Sequence, residues 1–547
     1  MSHPPASDQG LSRFLKWWPQ ALGFLGFGFL GASALPYPGI QNDEVFFAGP
    51  IYQTAGVLYT VRLHHHNVTV MLLSYLGALK TWLYIPILSR WKPSIYSVRW
   101  PVLFLSAATV ILLFYLAKRV HSERAGIFAT LLLATDSSYI LTGVFDWGPV
   151  ALQHLLLLSS IAILWRFSQS NRASDLWLGS FLVGLALWDK ALFLWPLGGI
   201  AVASLALFPR QIWLRFSRRN LALAVTGFLI GAWPLIQYNR THHWDTFGTN
   251  SHFTFKDLYP KSTVLEHTAD GSALFGYLVN DPGAGHPLDP ITFRERVSAR
   301  LSAWAGQWRV NLFPWAFLAS FLFLPWLWST GARRPMLFLL IAIGVGWFQM
   351  AITQNAGGSV HHTILLWPMP TLFVAVALAE LSSRGRSGAW AAGLGIAVVL
   401  IANLLNFNQY LVQFARYGAA GSWDDGILTL SKRAPGYHAS QFYVTDWGIL
   451  TPLLVLHRGS VPLEMATDAL MSDQPAASDL NVERLKLQRA DALWLGHTSD
   501  QEQFQGVGAR LDRIAASIGL RKQIVDTIAD RNGRPVLEVF RLAPVAP

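Results

Sequence analysis

Apolar residues run in long, nearly unbroken stretches through the first three quarters of the chain and thin out after about residue 411. A stretch of about 18 or more such residues can cross a hydrocarbon core of about 30 Å as a helix. Stretches of this kind lie at about 12–34, 101–117, 125–145, 149–167, 175–189, 191–208, 221–238, 310–329, 335–353, 361–381 and 388–410. The pattern predicts a polytopic α-helical membrane protein with roughly eleven to thirteen transmembrane helices. Short segments of alternating polarity, the mark of a membrane barrel, do not stand out. One more apolar stretch, VTVMLLSYLGALKTWLYIPIL (68–88), carries Lys80 near its middle. If it crossed, every later basic loop would change sides, so it reads as a juxtamembrane or re-entrant element, with a true span as the alternative. The first run follows Arg13 and Lys16 and resembles a signal peptide. Its length and the lack of a clear A-x-A site favour an uncleaved first span.

The polar intervals set the topology. Basic residues gather at Arg13/Lys16, Lys118-Arg119 with Arg124, Arg166/Arg172, Arg210 to Arg219, Arg333-Arg334 and Arg384/Arg386, which is every second loop. By the positive-inside rule these loops are cytoplasmic. The loop 35–100, the segment 239–309, the turn 354–361 and everything after about residue 411 then share the extracytoplasmic side. Residues 1–410 thus form a transmembrane module. The tail 411–547 reads as a soluble extracytoplasmic α/β domain, because QFYVTD and ADALWLGH have the pattern of buried strands. DQEQFQGVGARLDRIAASIGL has that of an amphipathic helix, and KQIVDTIADRNGRPVLEVFRL that of a hairpin turning at Asn532-Gly533.

Composition sharpens this picture in three places. Hydrophobic residues make up 52% of the chain and charged ones only 13%, about half the share of a soluble protein. The net charge of +11 is carried mainly by the short basic loops, so it reports topology and not nucleic-acid binding. The chain has no cysteine, which excludes disulfides, thiol catalysis and cysteine-ligated metals.

Acids are scarce, so the adjacent pair Asp43-Glu44 just beyond the first apolar run is conspicuous. On a helix adjacent side chains diverge by about 100°, so one of the two at most faces a given reacting atom. A general base at the membrane surface is one reading, and a solvated acid near a helix N-terminus is the other. Asp146 and the pair Asp189-Lys190 stand at the outer junctions of apolar runs, where an unpaired charge is expensive. Lys190 suits a phosphate, or a structural pair with Asp189. Histidines 64–66, 242–243, 252, 267, 286 and 361–362 all fall on the outer side, yet none has zinc-site spacing. No Walker loop, G-x-S-x-G or dinucleotide fingerprint stands out, which argues against a nucleotide-driven pump.

The stretch VRWPVLFLSAATVILLFYLAKRVHSERAGIFATLLLATD (98–136), Asp146 after it, and GLALWDKALFLWP (184–196) together resemble the GT-C class of membrane glycosyltransferases. The likeness is to bacterial relatives of protein O-mannosyltransferases and of aminoarabinose transferase. It covers roughly residues 12–410 and is best over 98–196. The resemblance implies transfer of a sugar from a polyprenyl-phosphate donor to a hydroxyl of a lipid, glycan or protein, on the extracytoplasmic face of a bacterial inner membrane. It also implies that Asp43 or Glu44 is the catalytic base. Arg99, Asp146, Lys190, Lys80, His361 and His362 would meet the donor phosphate or substrate. Dependence on a metal stays open at this point; Glu44, Asp146 and His65 are the candidate ligands if a divalent metal takes part. Two departures mark this chain: LHHHNVTVMLL stands where a His-Pro-Pro element usually follows the first loop, and Asp189 stands where a threonine usually precedes the lysine. A transporter or flippase, or a polymerase or ligase of lipid-linked glycans, is the alternative.

Overall fold

The computed structural model describes residues 6–54, 56–250, 252–326 and 330–545. The side chains of residues 6–17, with Arg13 and Lys16 among them, lie outside the described set. Helix α1 (Ala6–Ala34) leads into a loop that opens with the short α2 (Asn42–Phe46). An antiparallel sheet follows, of β1 (Tyr59–Leu63), β2 (His66–Leu73) and β3 (Leu76–Gly77), and then α3 (Leu79–Arg90). The apolar stretch 68–88 is therefore half strand and half helix, not one span. In α3, Trp82, Leu83 and Ile85 are exposed apolar side chains, as in a helix lying along a membrane surface.

The membrane portion continues with α4 (Ile95–Val120), α5 (Glu123–Thr135), α6 (Ser137–Phe145), α7 (Val150–Ser170), α8 (Ala173–Asp189) and α9 (Leu194–Leu207). Then come α10 (Pro209–Arg215), α11 (Arg218–Gly231) and α12 (Trp233–Thr241). The second long loop holds α13 (Asp245–Asn250), α14 (Leu258–Ala269) and α15 (Phe293–Ala305). The last membrane helices are α16 (Phe313–Leu322), α17 (Arg333–Ile352), α18 (Val360–Thr363), α19 (Pro368–Ser382) and α20 (Gly385–Tyr417).

Each of the eleven apolar stretches coincides with a helix or a helix pair. Among the described residues four helices (α4, α7, α17, α20) are long and apolar enough to cross alone, and four bent pairs bring the number up to eight if each pair is one span. Hydropathy does not reveal the bends: 63° between α5 and α6, 95° between α9 and α10, 68° between α11 and α12, and 43° between α18 and α19. The α5/α6 break is held open by Asp136, whose carboxylate caps Tyr139 N (2.8 Å) and accepts from Trp367 Nε1 (2.9 Å).

The helices have a basic end and a loop end. At the basic end, His121 meets Glu380 (3.1 Å), Arg124 donates to Ser382 O (3.0 Å), and Arg215 donates to Ser168 O (2.9 Å). Helix α4 runs from Arg99 near its start to Lys118-Arg119 in its last turn, so these residues lie at opposite ends of one rod. At the loop end, α20 runs on to Tyr417, past the boundary drawn at 410, and leads to a five-stranded sheet of order β5-β4-β6-β8-β7. Its strands are β4 (Gln441–Val444), β5 (Leu463–Met465), β6 (Ala492–His497), β7 (Leu520–Ala529) and β8 (Pro535–Pro544). Helices α21 (Gly426–Arg433), α22 (Leu450–Leu456), α23 (Ala477–Leu487) and α24 (Val507–Ala516) accompany them. The two stretches read as buried strands are β4 and β6. The predicted amphipathic helix contains α24, and β7 turns into β8 through Asn532-Gly533, with Gly533 at φ 77°.

Candidate active site at the loop end of the helices

The two acids of α2 have opposite surroundings. Gln41 caps the helix, its side chain accepting from Asp43 N (2.6 Å) and Glu44 N (3.2 Å). Glu44 turns inward, is 2% exposed, and takes two bonds from Arg99: Nε at 2.6 Å and Nη2 at 2.9 Å. The other donors of Arg99 go to the carbonyls of Leu35 (2.7 Å), Pro38 (3.1 Å) and Gly39 (2.5 Å). All five N–H groups of a guanidinium are thereby used. Arg99 was expected at the donor phosphate. Its geometry makes it the clamp that holds segment 35–44 against the start of α4.

Asp43, by contrast, is partly exposed, and the hydrogen bond recorded for its carboxylate is from Asn42 Nδ2 at 3.3 Å. Burial raises its carboxyl above the usual carboxylate range, offset in part by Asn42 and by the charge of Lys190. Tyr75 and Tyr277 are close enough to feel Asp43. Burial and the carboxylate raise both phenols, Tyr277 to about 12.

Lys190 sits at the break between α8 and α9. Trp188 Nε1 donates to Val70 O (3.0 Å) and Ala191 N to Tyr75 O (2.9 Å), so the first-loop sheet is pinned to this break. Gly77 permits the contact, because a Cβ there would lie 2.1 Å from Trp188 O. Asp189 is not the partner of Lys190: it accepts from Gln153 Nε2 at 2.7 Å. Lys190 is 2% exposed, and no ion pair or hydrogen bond of its ammonium is recorded among the described residues. It lies beside Gly148, where a Cβ would meet Lys190 Nζ at 3.1 Å and His361 Cδ2 at 2.8 Å.

Lys80 and Asp146 form a buried pair (2.9 Å), with Lys80 also donating to Asp146 O (2.6 Å) and lying over the Phe47 ring. The other oxygen of Asp146 caps α7 through Val150 N (2.6 Å). The pair joins the first loop to the α6–α7 junction, so its charges are engaged with each other and not with an outside phosphate. The rings of His361 and His362 lie 4.1 Å apart, tilted by 49°, and their Nδ1 atoms meet Ser359 Oγ (2.8 Å) and Gly357 N (3.2 Å). His65 lies exposed at the tip of the β1–β2 hairpin. The metal trio Glu44, Asp146 and His65 therefore does not converge. Among the described residues no three His, Asp or Glu side chains are placed to hold a metal ion.

Sequence reasoning missed the aromatic lining. Trp147 lies 5.6 Å from the His361 ring, 5.8 Å from Tyr277 and 5.5 Å from Trp423, and its buried Nε1 has no partner. Its only signal was its place between Asp146 and Gly148. Trp423 comes from the far side of the chain, and its carbonyl accepts from Gly39 N (2.7 Å). Among the described residues the assembled site is a carboxylate, an ammonium that makes no direct ion pair, a histidine pair and an indole N–H with no acceptor. That set can accept a proton on one side and bind an anion on the other.

No family model matches the chain, and no curated protein sequence does. Among solved structures it is similar to ArnT from Cupriavidus metallidurans bound to undecaprenyl phosphate, with a TM-score of 0.54 and 14% identity, over 97% of this chain and 98% of that one. It is also similar to the oligosaccharyltransferase of Archaeoglobus fulgidus in its apo form, with a TM-score of 0.51 and 11% identity, over 89% of this chain and 70% of that one. At these identities the likeness is one of fold. This multi-pass membrane protein has the fold of the GT-C glycosyltransferases.

Proposed function

We propose that this protein transfers a sugar from a polyprenyl-phosphate donor to an acceptor hydroxyl at the extracytoplasmic face of the membrane. The observation that carries the reading is Lys190: a buried lysine whose ammonium makes no ion pair or hydrogen bond among the described residues, near enough to the unclamped Asp43 for their charges to interact. A buried charge without a partner is costly, and a phosphate supplies the partner. The solved neighbour ArnT, with undecaprenyl phosphate bound, supports that class of ligand.

In this reading Asp43 accepts the proton of the acceptor hydroxyl as its oxygen bonds to the anomeric carbon. The carbon–oxygen bond to the phosphate breaks, and the polyprenyl phosphate leaves with the electron pair. Lys190 neutralises the growing charge, with Trp147 Nε1 and His361 as neighbouring donors. A single displacement inverts the anomeric configuration. Glu44, Arg99, Lys80 and Asp146 hold the first loop in place and do not touch the reacting atoms. No step is assigned to a metal, since the candidate ligands do not gather.

The test is a transfer assay with a labelled polyprenyl-phosphate sugar. Asp43→Asn should lose about 10²–10⁴ in turnover while still binding donor. Turnover near wild type would remove Asp43 from the role of base.

A further inference from the structure

The second long loop carries a helix with its apolar stripe on the outside. In α15, Phe293, Val297, Arg300 and Trp304 follow at i, i+4, i+7 and i+11, so they share one face. That face points away from the protein: Phe293 is 74% exposed and Trp304 85%. The opposite face, with Glu295 and Ser302, is buried. Arg294 and Arg296 flank the apolar stripe and Arg300 interrupts it, the arrangement of a helix lying in a membrane interface. Its depth is fixed by two contacts. Arg294 lies over the ring of Phe29, an exposed residue of α1, and Tyr37 Oη donates to Glu295 at 3.2 Å. The helix thus lies at the level of the loop that bears Asp43.

Behind α15, against the end of α20, is a cavity of about 150 Å³ whose polar lining is Ser302, Gln307, Gln409, Arg416 and Tyr417 and whose apolar lining is Pro282, Ala299 and Val412, with the exposed Ala303 at its rim. Its volume is that of about five waters. Arg416 is held by its backbone, whose carbonyl accepts from Leu288 N (2.8 Å) and Asn532 Nδ2 (2.8 Å). No hydrogen bond or ion pair of its guanidinium is recorded among the described residues, and its buried Nε has no partner. Gln413, on the same face of α20 as Gln409 and Arg416, has both amide atoms buried without partners.

We propose that this cavity binds the phosphate headgroup of an anionic phospholipid from the leaflet in which α15 lies. An arginine fork matches two phosphate oxygens. Ser302 Oγ donates to Gln409 Oε1 (2.8 Å), which leaves the amide N–H groups of Gln409 and Gln307 to meet the remaining oxygens. The exposed aromatic stripe of α15 and its flanking arginines place such a lipid beside the opening. The site is separate from the Asp43–Lys190 cluster and does not depend on the proposed reaction.

The experiment uses the full chain in nanodiscs of phosphatidylcholine with or without phosphatidylglycerol, followed by native mass spectrometry of the released protein. The wild type should retain one phosphatidylglycerol. Arg416→Gln, and independently Ala303→Trp, which fills the cavity from its rim, should reduce that retention at least about tenfold, the scale of a lost charge-assisted contact. Unfolding temperatures in pure phosphatidylcholine should match across all three proteins. Undiminished retention in either folded variant, or equal retention of the two lipids, overturns the proposal. Displacement of the retained lipid by inorganic phosphate would make soluble phosphate the ligand and overturn the lipid assignment.

Discussion

Asp43 and Glu44 show how far one residue step separates two roles. The sequence places both at the outer surface and limits each reacting atom to one of them, but it does not say which. The choice rests on Arg99, 55 positions from Glu44, whose fork closes on Glu44 and on three carbonyls. Such a clamp depends on tertiary distance and leaves no local signature. The raised carboxyl of Asp43 has two measurable consequences. The folded state binds its proton more tightly than the unfolded chain does, so stability falls as pH rises from the ordinary carboxylate value through the raised one. At neutral pH the ionised Asp43 therefore destabilises the fold, and Asp43→Asn should leave the unfolding temperature equal or higher. Transfer by the wild type should fail on the acid side at a pH above that of an exposed aspartate, about 3.9. Arg99→Ala should behave in the opposite way, losing about 3–5 kcal/mol because Glu44 is left buried and unpaired. Thermal unfolding and a pH–rate profile of the three proteins check both statements.

Among the elements, the apolar runs were legible because a helix in lipid must satisfy its own backbone, so length and polarity nearly define it. The bends were not, since they follow from packing and from caps such as Asp136. The stretch 68–88 could be kept out of the membrane only through the sidedness of later loops. Its first half is strand, and that strand does the positioning: β2 and β3 are fastened to the α8–α9 break by Trp188, Ala191 and the approach at Gly77. Gly77→Ala should therefore act on both stability and binding. A Cβ 2.1 Å from Trp188 O forces the strand off the helix end, at about 1–3 kcal/mol in stability. Donor affinity should fall with it, because the bridge between Leu76 and Lys190 shifts. Unchanged donor binding in a destabilised Gly77→Ala protein would show that the sheet does not position Lys190.

For the whole molecule, the alternation of basic loops divides the chain into two ends, and contacts pair those loops: His121 and Arg124 join theirs to Glu380 and Ser382, and Arg215 joins its own to Ser168. Cysteines introduced at Asn250, Gly357 and Asp500 should be labelled by a membrane-impermeant reagent from outside. Those introduced at His121 and Arg333 should not. Labelling of position 500 only after permeabilisation would reverse the assigned sides. The convergence of Lys190 and His361 beside Gly148, with Asp43 near enough to sense the lysine, could not be read from spacing, because it joins widely separated segments of the chain. The resemblance supplied the residues, and the fold shows which of them are already committed: Arg99 is paired with Glu44 and Lys80 with Asp146, while Lys190 makes no ion pair or hydrogen bond among the described residues. The central claim is that this lysine awaits a phosphate. Its most direct test is the affinity of undecaprenyl phosphate for wild-type protein, Lys190→Ala and Lys190→Arg in the same detergent. Loss of a charge-assisted contact predicts a drop of about tenfold to a hundredfold for the alanine variant, partly restored by arginine. A well-folded Lys190→Ala protein that binds undecaprenyl phosphate as tightly as wild type would contradict the account.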